Sequence, residues 1–132
     1  MDSNYPKRLT HDVPSWVPDS SVFHLRIRSQ VKNAPFLTHP ETATALLKSA
    51  EHYHDRFTWH VHLFMIMPDH LHALLSINPT KQLGAVVGSW KSFNAKQLDI
   101  NWQDNFFDHR IRNDNEFSLK YQYILNNPVA SK

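Results

Sequence analysis

The sequence contains no cysteine, which excludes disulfide scaffolds, zinc ribbons and cysteine nucleophiles. Glycine is nearly as scarce, with Gly84 and Gly88 the two present in 132 residues. A Walker loop or a Rossmann fingerprint needs several glycines close together, so nucleoside-triphosphate and dinucleotide chemistry are not expected. No apolar run approaches the roughly 20 residues that span a bilayer. The opening Met1-Asp-Ser-Asn-Tyr-Pro6 lacks the basic-then-apolar layout of a secretory leader. A cytoplasmic protein without membrane contact is therefore expected. Strong charge is missing too. The formal net charge of +2 is a mild basic bias that permits nucleic acid without requiring it.

What is present fits one globular domain over residues 1–132. Apolar residues make up 41% and charged residues 20%, an ordinary soluble balance at a length that allows one hydrophobic core. Repeats and low-complexity tracts are absent. Pro6, Pro14 and Pro18 mark residues 1–20 as an extended N-terminal arm. The unusual abundance is histidine, of which there are ten.

Hydrophobic periodicity gives the order of elements. Ser21 to Ser29 alternates Phe23, Leu25 and Ile27 with His24, Arg26 and Arg28, a half-buried strand with a basic outer face. Thr38-His-Pro-Glu-Thr opens a helix to about His54, with Ala43, Leu46, Leu47 and Ala50 as its apolar stripe. Phe57 to Met67 and His70 to Ile77 read as two strands joined by the turn Met67-Pro-Asp69. Lys81 to about Leu98 is a helix with Leu83, Val86, Val87, Trp90 and Phe93 on one side. A fourth strand is expected between Trp102 and Arg112, around Phe106 to Ile111. A last helix follows from Asp114 to Asn126, stopped by Pro128. This order predicts an α+β, ferredoxin-like split βαβ fold, an antiparallel four-stranded sheet with helices on one face, plus the extra C-terminal helix.

Three His-x-His pairs occur: His52/His54, His60/His62 and His70/His72. Roughly one is expected by chance at this histidine frequency, so a solvated pair is the bland reading of any of them. In a strand, residues i and i+2 share a face about 7 Å apart, close enough to grip one metal ion. His52 and His54 end a helix, where i and i+2 diverge. His60 and His62 share a face with Thr58, opposite Trp59, Val61 and Leu63, and read as surface or groove residues. His70 and His72 open a strand directly after a tight turn, where sites tend to lie, with Leu71 turned to the core.

In the last helix, Asn113 precedes Glu116 by three, a cap with its reciprocal acid. Phe117, Tyr121, Ile124 and Leu125 form a core-facing stripe. Tyr123 falls on another face with Glu116, Lys120 and Asn127. By itself it reads as a surface tyrosine.

Three ordered segments carry a family resemblance. Met67-Pro-Asp-His-Leu-His72 resembles the Met-Pro-(Asn/Asp)-His-hydrophobic-His signature of the REP-associated tyrosine transposases, a branch of the single-tyrosine HUH transposases. Trp102-Gln103 with Phe106-Phe-Asp-His-Arg-Ile-Arg112, and Tyr123-Ile-Leu-Asn-Asn-Pro-Val129, resemble two further family stretches, and Lys91-Ser92 also fits. These cover about the second half of the chain. The family usually continues past Asn-Pro-Val with Gly-Leu, where this sequence has Ala130-Ser-Lys132.

The resemblance implies the roles. Tyr123 is the nucleophile that forms a 5′-phosphotyrosine link in single-stranded DNA carrying a hairpin. His70, His72 and Asn127 hold a divalent metal, magnesium or manganese, that polarises the scissile phosphate. The protein acts as a monomer, or as a homodimer that completes each site with the partner's tyrosine helix. From the residues themselves, Arg26, Arg28, Lys81, Lys91, Lys96, Arg110 and Arg112 are candidate backbone contacts, each with solvated charge as the bland reading. Trp16, Trp59, Trp90 and Trp102 are core or base-stacking residues, and Asp108 and His109 have no assigned role. The competing class is a catalytically silent single-strand-binding module of the same fold. Against it, His70 to Ile77 lacks the basic-Gly-aromatic motif of RNA-recognition domains. A larger HUH relaxase or rolling-circle initiator, and a histidine-rich metal binder without DNA activity, are further alternatives.

Overall fold

A computed structural model describes residues 15–17, 21–30 and 37–130, with side chains as far as 126. The chain runs β1 (Val22–Arg28), α1 (Pro40–Asp55), β2 (Trp59–Ile66), β3 (His70–Ile77), α2 (Leu83–Leu98), β4 (Phe107–Ile111) and α3 (Asp114–Ala130). The expected arm over 1–20 lies outside the described residues except at 15–17, a turn in which Val17 is buried.

The four strands form one sheet in the order β2-β3-β1-β4, with every neighbouring pair antiparallel. This is the split βαβ plan, and it puts β1 and β3 side by side at the centre. Each face of the sheet has its own core. On one face Leu25, Ile27, Leu71, Ala73 and Leu75 pack with Leu46 and Ala50 of α1 and with Val86, Val87 and Trp90 of α2. On the other, Leu74 and Ile111 pack with Ile124 of α3, joined by Val22, Leu63, Met65, Phe117 and Tyr121. The C-terminal helix thus crosses the face that the other two helices leave uncovered.

Several local expectations are corrected. A register shift between Val61 and Leu63 makes His62 the extra residue of a bulge, which turns Leu63 to the α3 face, away from Trp59 and Val61. Leu47 and Phe93 are exposed, not core. Asn94 takes the buried place beside Phe93, donating to the Trp90 carbonyl (2.9 Å) and accepting from Ser49 Oγ (3.2 Å). Leu125 is also exposed. The last helix passes through Pro128 to Ala130; so near a helix end, proline forfeits just the bond to the Ile124 carbonyl. Trp59, Trp90 and Trp102 are buried, with the Trp90 ring in tilted contact with each of the other two at 6.0 Å, which removes them as base-stacking residues.

Candidate active site on the sheet face under α3

The period-2 alternation of β3 sends Leu71 and Ala73 into the main core, and His70, His72 and Leu74 to the α3 face. His70 follows a tight turn, and its Nδ1 lies 2.7 Å from Asp69 Oδ1. That hydrogen bond is the main reason the Asp69 carboxyl is held below the usual carboxylate range. Asp69 is therefore the acceptor and His70 Nδ1–H the donor, so that in the neutral ring Nε2 is the nitrogen left for a ligand.

His72 is buried, and its Nδ1 is 3.1 Å from Nε2 of His24, with the two rings stacked at 5.3 Å. Burial, reinforced by His70, His24, Arg26 and Arg28, pushes the His72 imidazole down to about 3. Burial, then Lys120, Arg26 and His109, pushes His24 down to about 4. Both rings are neutral at physiological pH. With the proton on His72 Nδ1, that N–H donates to His24 Nε2 and leaves His72 Nε2 as a ligand. The second ring nitrogen of His24 is buried without a hydrogen-bond partner.

The donor chemistry fits a divalent cation. His70 and His72 are 5.0 Å apart between centroids, each with one nitrogen engaged by a neighbour and the other available, the outer-shell arrangement common to metal-ligating histidines. Among the described residues no group of three His, Cys, Asp or Glu side chains is placed to hold a metal. A further ligand must be of another kind. The side chain of Asn127 lies outside the described residues.

Tyr123 stands beside His72. Its ring centroid is 6.5 Å from that of His72, nearly perpendicular to it, and the residue is 56% exposed. Lys120 Nζ, one turn earlier, lies 5.9 Å from the Tyr123 ring. The next residue, Ile124, is fully buried in the sheet, so the helix is anchored beside the tyrosine.

The first turn of α3 is fastened to β4. Asn113 Oδ1 caps the Glu116 N–H at 2.8 Å, as its position predicts. The reciprocal half differs: Glu116 Oε1 accepts the Arg112 N–H, while Oε2 is 2.7 Å from His109 Nε2. The Arg112 N–H, then His109, hold the Glu116 carboxyl below its usual range. His109 thus gains a role as the clasp that docks the tyrosine helix.

The cationic candidates divide. Arg26 and Arg28 share the His70/His72 face, in register opposite His72 and His70. Arg112 is at the foot of α3, with Nε 3.6 Å from Glu116 Oε1. Arg110 pairs across from Phe23 and so takes the α1/α2 face. Lys91 donates to the Gln103 carbonyl at 2.8 Å and lies beside the Phe106 ring, tying down the loop before β4. Lys96 is on α2, and Lys81 flanks that helix near Arg56, both remote from the histidine pair. Residues missed by sequence reading are His24, Asp69, Glu116 and Lys120. For His24 the signal was its shared strand face with Arg26, but its meeting with His72 depends on strand order.

A model of the family described as "Transposase IS200 like" matches residues 21–127. The chain belongs to the IS200-like transposases. The motif resemblance agrees with that membership and with the fold. A solved REP-associated tyrosine transposase, bound in its structure to a REP hairpin, superposes with a TM-score of 0.73 at 17% identity, over 85% of this chain and 68% of its own. A candidate transposase of Deinococcus radiodurans gives a TM-score of 0.58 at 18% identity, over 80% of this chain and 88% of its own. An uncharacterized protein of Haemophilus influenzae is 27% identical over half of this chain. The chain spans about half the length of that curated relative, 52%. No described helix is long and apolar enough to cross a membrane.

Proposed function

We propose that this IS200-like transposase cleaves and rejoins hairpin-associated single-stranded DNA through a 5′-phosphotyrosine link, in the cytoplasm, with magnesium or manganese bound at His70 and His72. The observation that carries the reading is the Tyr123 ring, open to solvent and 6.5 Å from His72. A solved protein of the same fold bound to a REP hairpin supports a hairpin as ligand.

In this reading Tyr123 Oη attacks the phosphorus of the scissile phosphodiester. The Oη–P bond forms and the P–O3′ bond breaks. The departing 3′ oxygen takes up a proton, and the phenolic proton passes to solvent. Another 3′-hydroxyl reverses the step and rejoins the strand. A cation held by His70 and His72, with Asn127 as the proposed third donor, supplies charge neutralisation at the phosphate oxygens when bound. Arg26 and Arg28 hold flanking phosphates, and Arg112, Lys81, Lys96 and Arg110 serve more distant backbone contacts; Lys91 is engaged by the Gln103 carbonyl. The approach of Tyr123 to His72 within one chain supports attack in cis, and a homodimer that exchanges its tyrosine helices is the alternative.

Hairpin oligonucleotides and Mn²⁺ test this directly. A denaturant-resistant protein–DNA adduct is expected from the wild type. Tyr123→Phe should bind but form none, and an adduct from that variant ends the nucleophile assignment. Binding without any adduct in the wild type points to the silent binding module. Mixing Tyr123→Phe with His70→Ala restores the adduct where the attack is in trans, and leaves both inactive where it is in cis.

A further inference from the structure

Four aromatic rings run in a row across the site face, from β3 through β1 to β4. Centroid separations are 5.0 Å for His70–His72, 5.3 Å for His72–His24 and 5.6 Å for His24–Phe107. Three are histidines already placed. The fourth, Phe107, is a large apolar ring left 41% exposed at the edge of the sheet.

Its position follows from alternation. Phe106 packs against the main core, so Phe107 points to the opposite face, opposite Arg26 in the register. The Arg26 guanidinium carbon is 4.8 Å from the Phe107 ring centroid. Helix α3 covers the other end of β4, where Ile111 is buried against Ile124, and Phe107 takes no part in that cluster. An exposed ring backed by a guanidinium, beside a second arginine, combines a surface for a base with charge for its phosphate. That pairing is how single strands are held with little regard to sequence. Two strand spacings, roughly 10 Å, separate β4 from β3, a distance that a flexible single strand bridges within a couple of nucleotides.

We propose that Phe107, backed by Arg26, stacks the base of a nucleotide next to the scissile phosphate and so sets the path of the strand over the nucleophile. The assignment rests on the strand-cleavage reading above for what lies beside it, yet it makes a separate claim about binding.

Fluorescence anisotropy tests it, using hairpin oligonucleotides of varied stem sequence with oligothymidine flanks, in EDTA so that no cleavage intervenes. Phe107→Ala should weaken binding about five- to a hundred-fold, the span of one lost stacked base. Phe107→Trp should retain affinity. Phe107→Leu keeps apolar packing on β1 without the aromatic face, and should lose as much as alanine. Abasic sites placed one at a time along the flanks should reveal one position at which wild type and Phe107→Ala bind alike. The inference is overturned by an unchanged dissociation constant in Phe107→Ala, by full affinity in Phe107→Leu, or by a penalty that persists at every abasic position. Adduct formation with Mn²⁺ separates the two readings. An adduct from wild type with no effect of Phe107→Ala on binding removes the stacking claim alone. A Phe107-dependent binding loss with no wild-type adduct removes the phosphotyrosine step alone. No binding by the wild type overturns both.

Discussion

Tyr123 is presented by a helix whose grip on the sheet centres on the residue beside it. Ile124 is fully buried against Leu74 and Ile111, whereas Leu125, one position on, is 41% exposed. Ile124→Val removes one methylene and should cost about 1 kcal/mol. Ile124→Ala removes three carbons and leaves a cavity, for a loss of about 3 kcal/mol. With an unfolding entropy of about 2.1 cal/mol/K per residue, the larger loss lowers the melting temperature by roughly 10 °C in a chain of this size. Leu125→Ala is the control and should cost well under half as much. Urea unfolding followed by circular dichroism measures all three at constant m-value, and adduct yield reads the position of the tyrosine in the folded fraction. If Ile124→Ala proves no more costly than Leu125→Ala, α3 does not dock through this face, and the approach of Tyr123 to His72 loses its support.

Other tests probe the surroundings. Asp69 fixes His70 through its Nδ1, so Asp69→Asn should weaken Mn²⁺ binding about 10- to 100-fold by calorimetry, and an unchanged affinity removes Asp69 as an orienting group. The His62 ring accepts or donates to Ser76 Oγ at 2.9 Å beside His60 and Phe117; burial, then His54, pushes it down to about 4. Its folded pKa is below the unfolded 6.5, so the unfolded chain takes up the proton first. Stability should fall as pH drops from 6.5 toward 4, by at most about 1.4 kcal/mol per unit from this group. His62→Gln should flatten that slope, and an identical pH profile refutes the assignment. Asp99 ends α2 at φ 56 with a negative charge at the helix C-terminus. Asp99→Gly should therefore raise stability by about 1 kcal/mol in thermal unfolding, and a loss would show that its side chain has an unrecognised partner.

The parts of the fold legible in the sequence are those set by local period. β1 alternates, and its inward residues Leu25 and Ile27 follow from that alternation, while β3 keeps the bounds His70–Ile77 that its flanking turns set. The errors fall where a single residue breaks the period. The bulge at His62 shifts Leu63 to the other face, and nothing in Trp59 to Ile66 announces it, because every residue there is tolerated on either side. In α2, Phe93 outranks Asn94 on any scale of hydrophobicity, yet Asn94 is the buried one. Its amide is satisfied by Trp90 and Ser49, and a hydrogen-bonded polar side chain can occupy a core position that composition assigns to an aromatic.

The site divides along a similar line. His70 and His72 are neighbours in sequence, so their shared face was available from spacing alone. Asn113 and Glu116 are likewise within one turn. His24 is 48 positions from His72, and Phe107 is 81 positions from Arg26, the residue beneath its ring. Their contacts exist because β1 lies between β3 and β4, an order that a one-dimensional pattern does not contain. His24 illustrates the cost of that missing dimension. On β1 alone, His24, Arg26 and Arg28 look like one solvated basic stripe, and burial of the first residue makes no sense. Once β3 and β4 flank the strand, His24 reaches diagonally to His72 on one side and lies opposite His109 on the other. The same three residues then separate into a buried imidazole that orients His72 and two arginines that stay accessible to phosphate. A polar strand face is thus not one functional unit. What each residue does depends on the strand that lies beside it and on how far α3 reaches across the sheet.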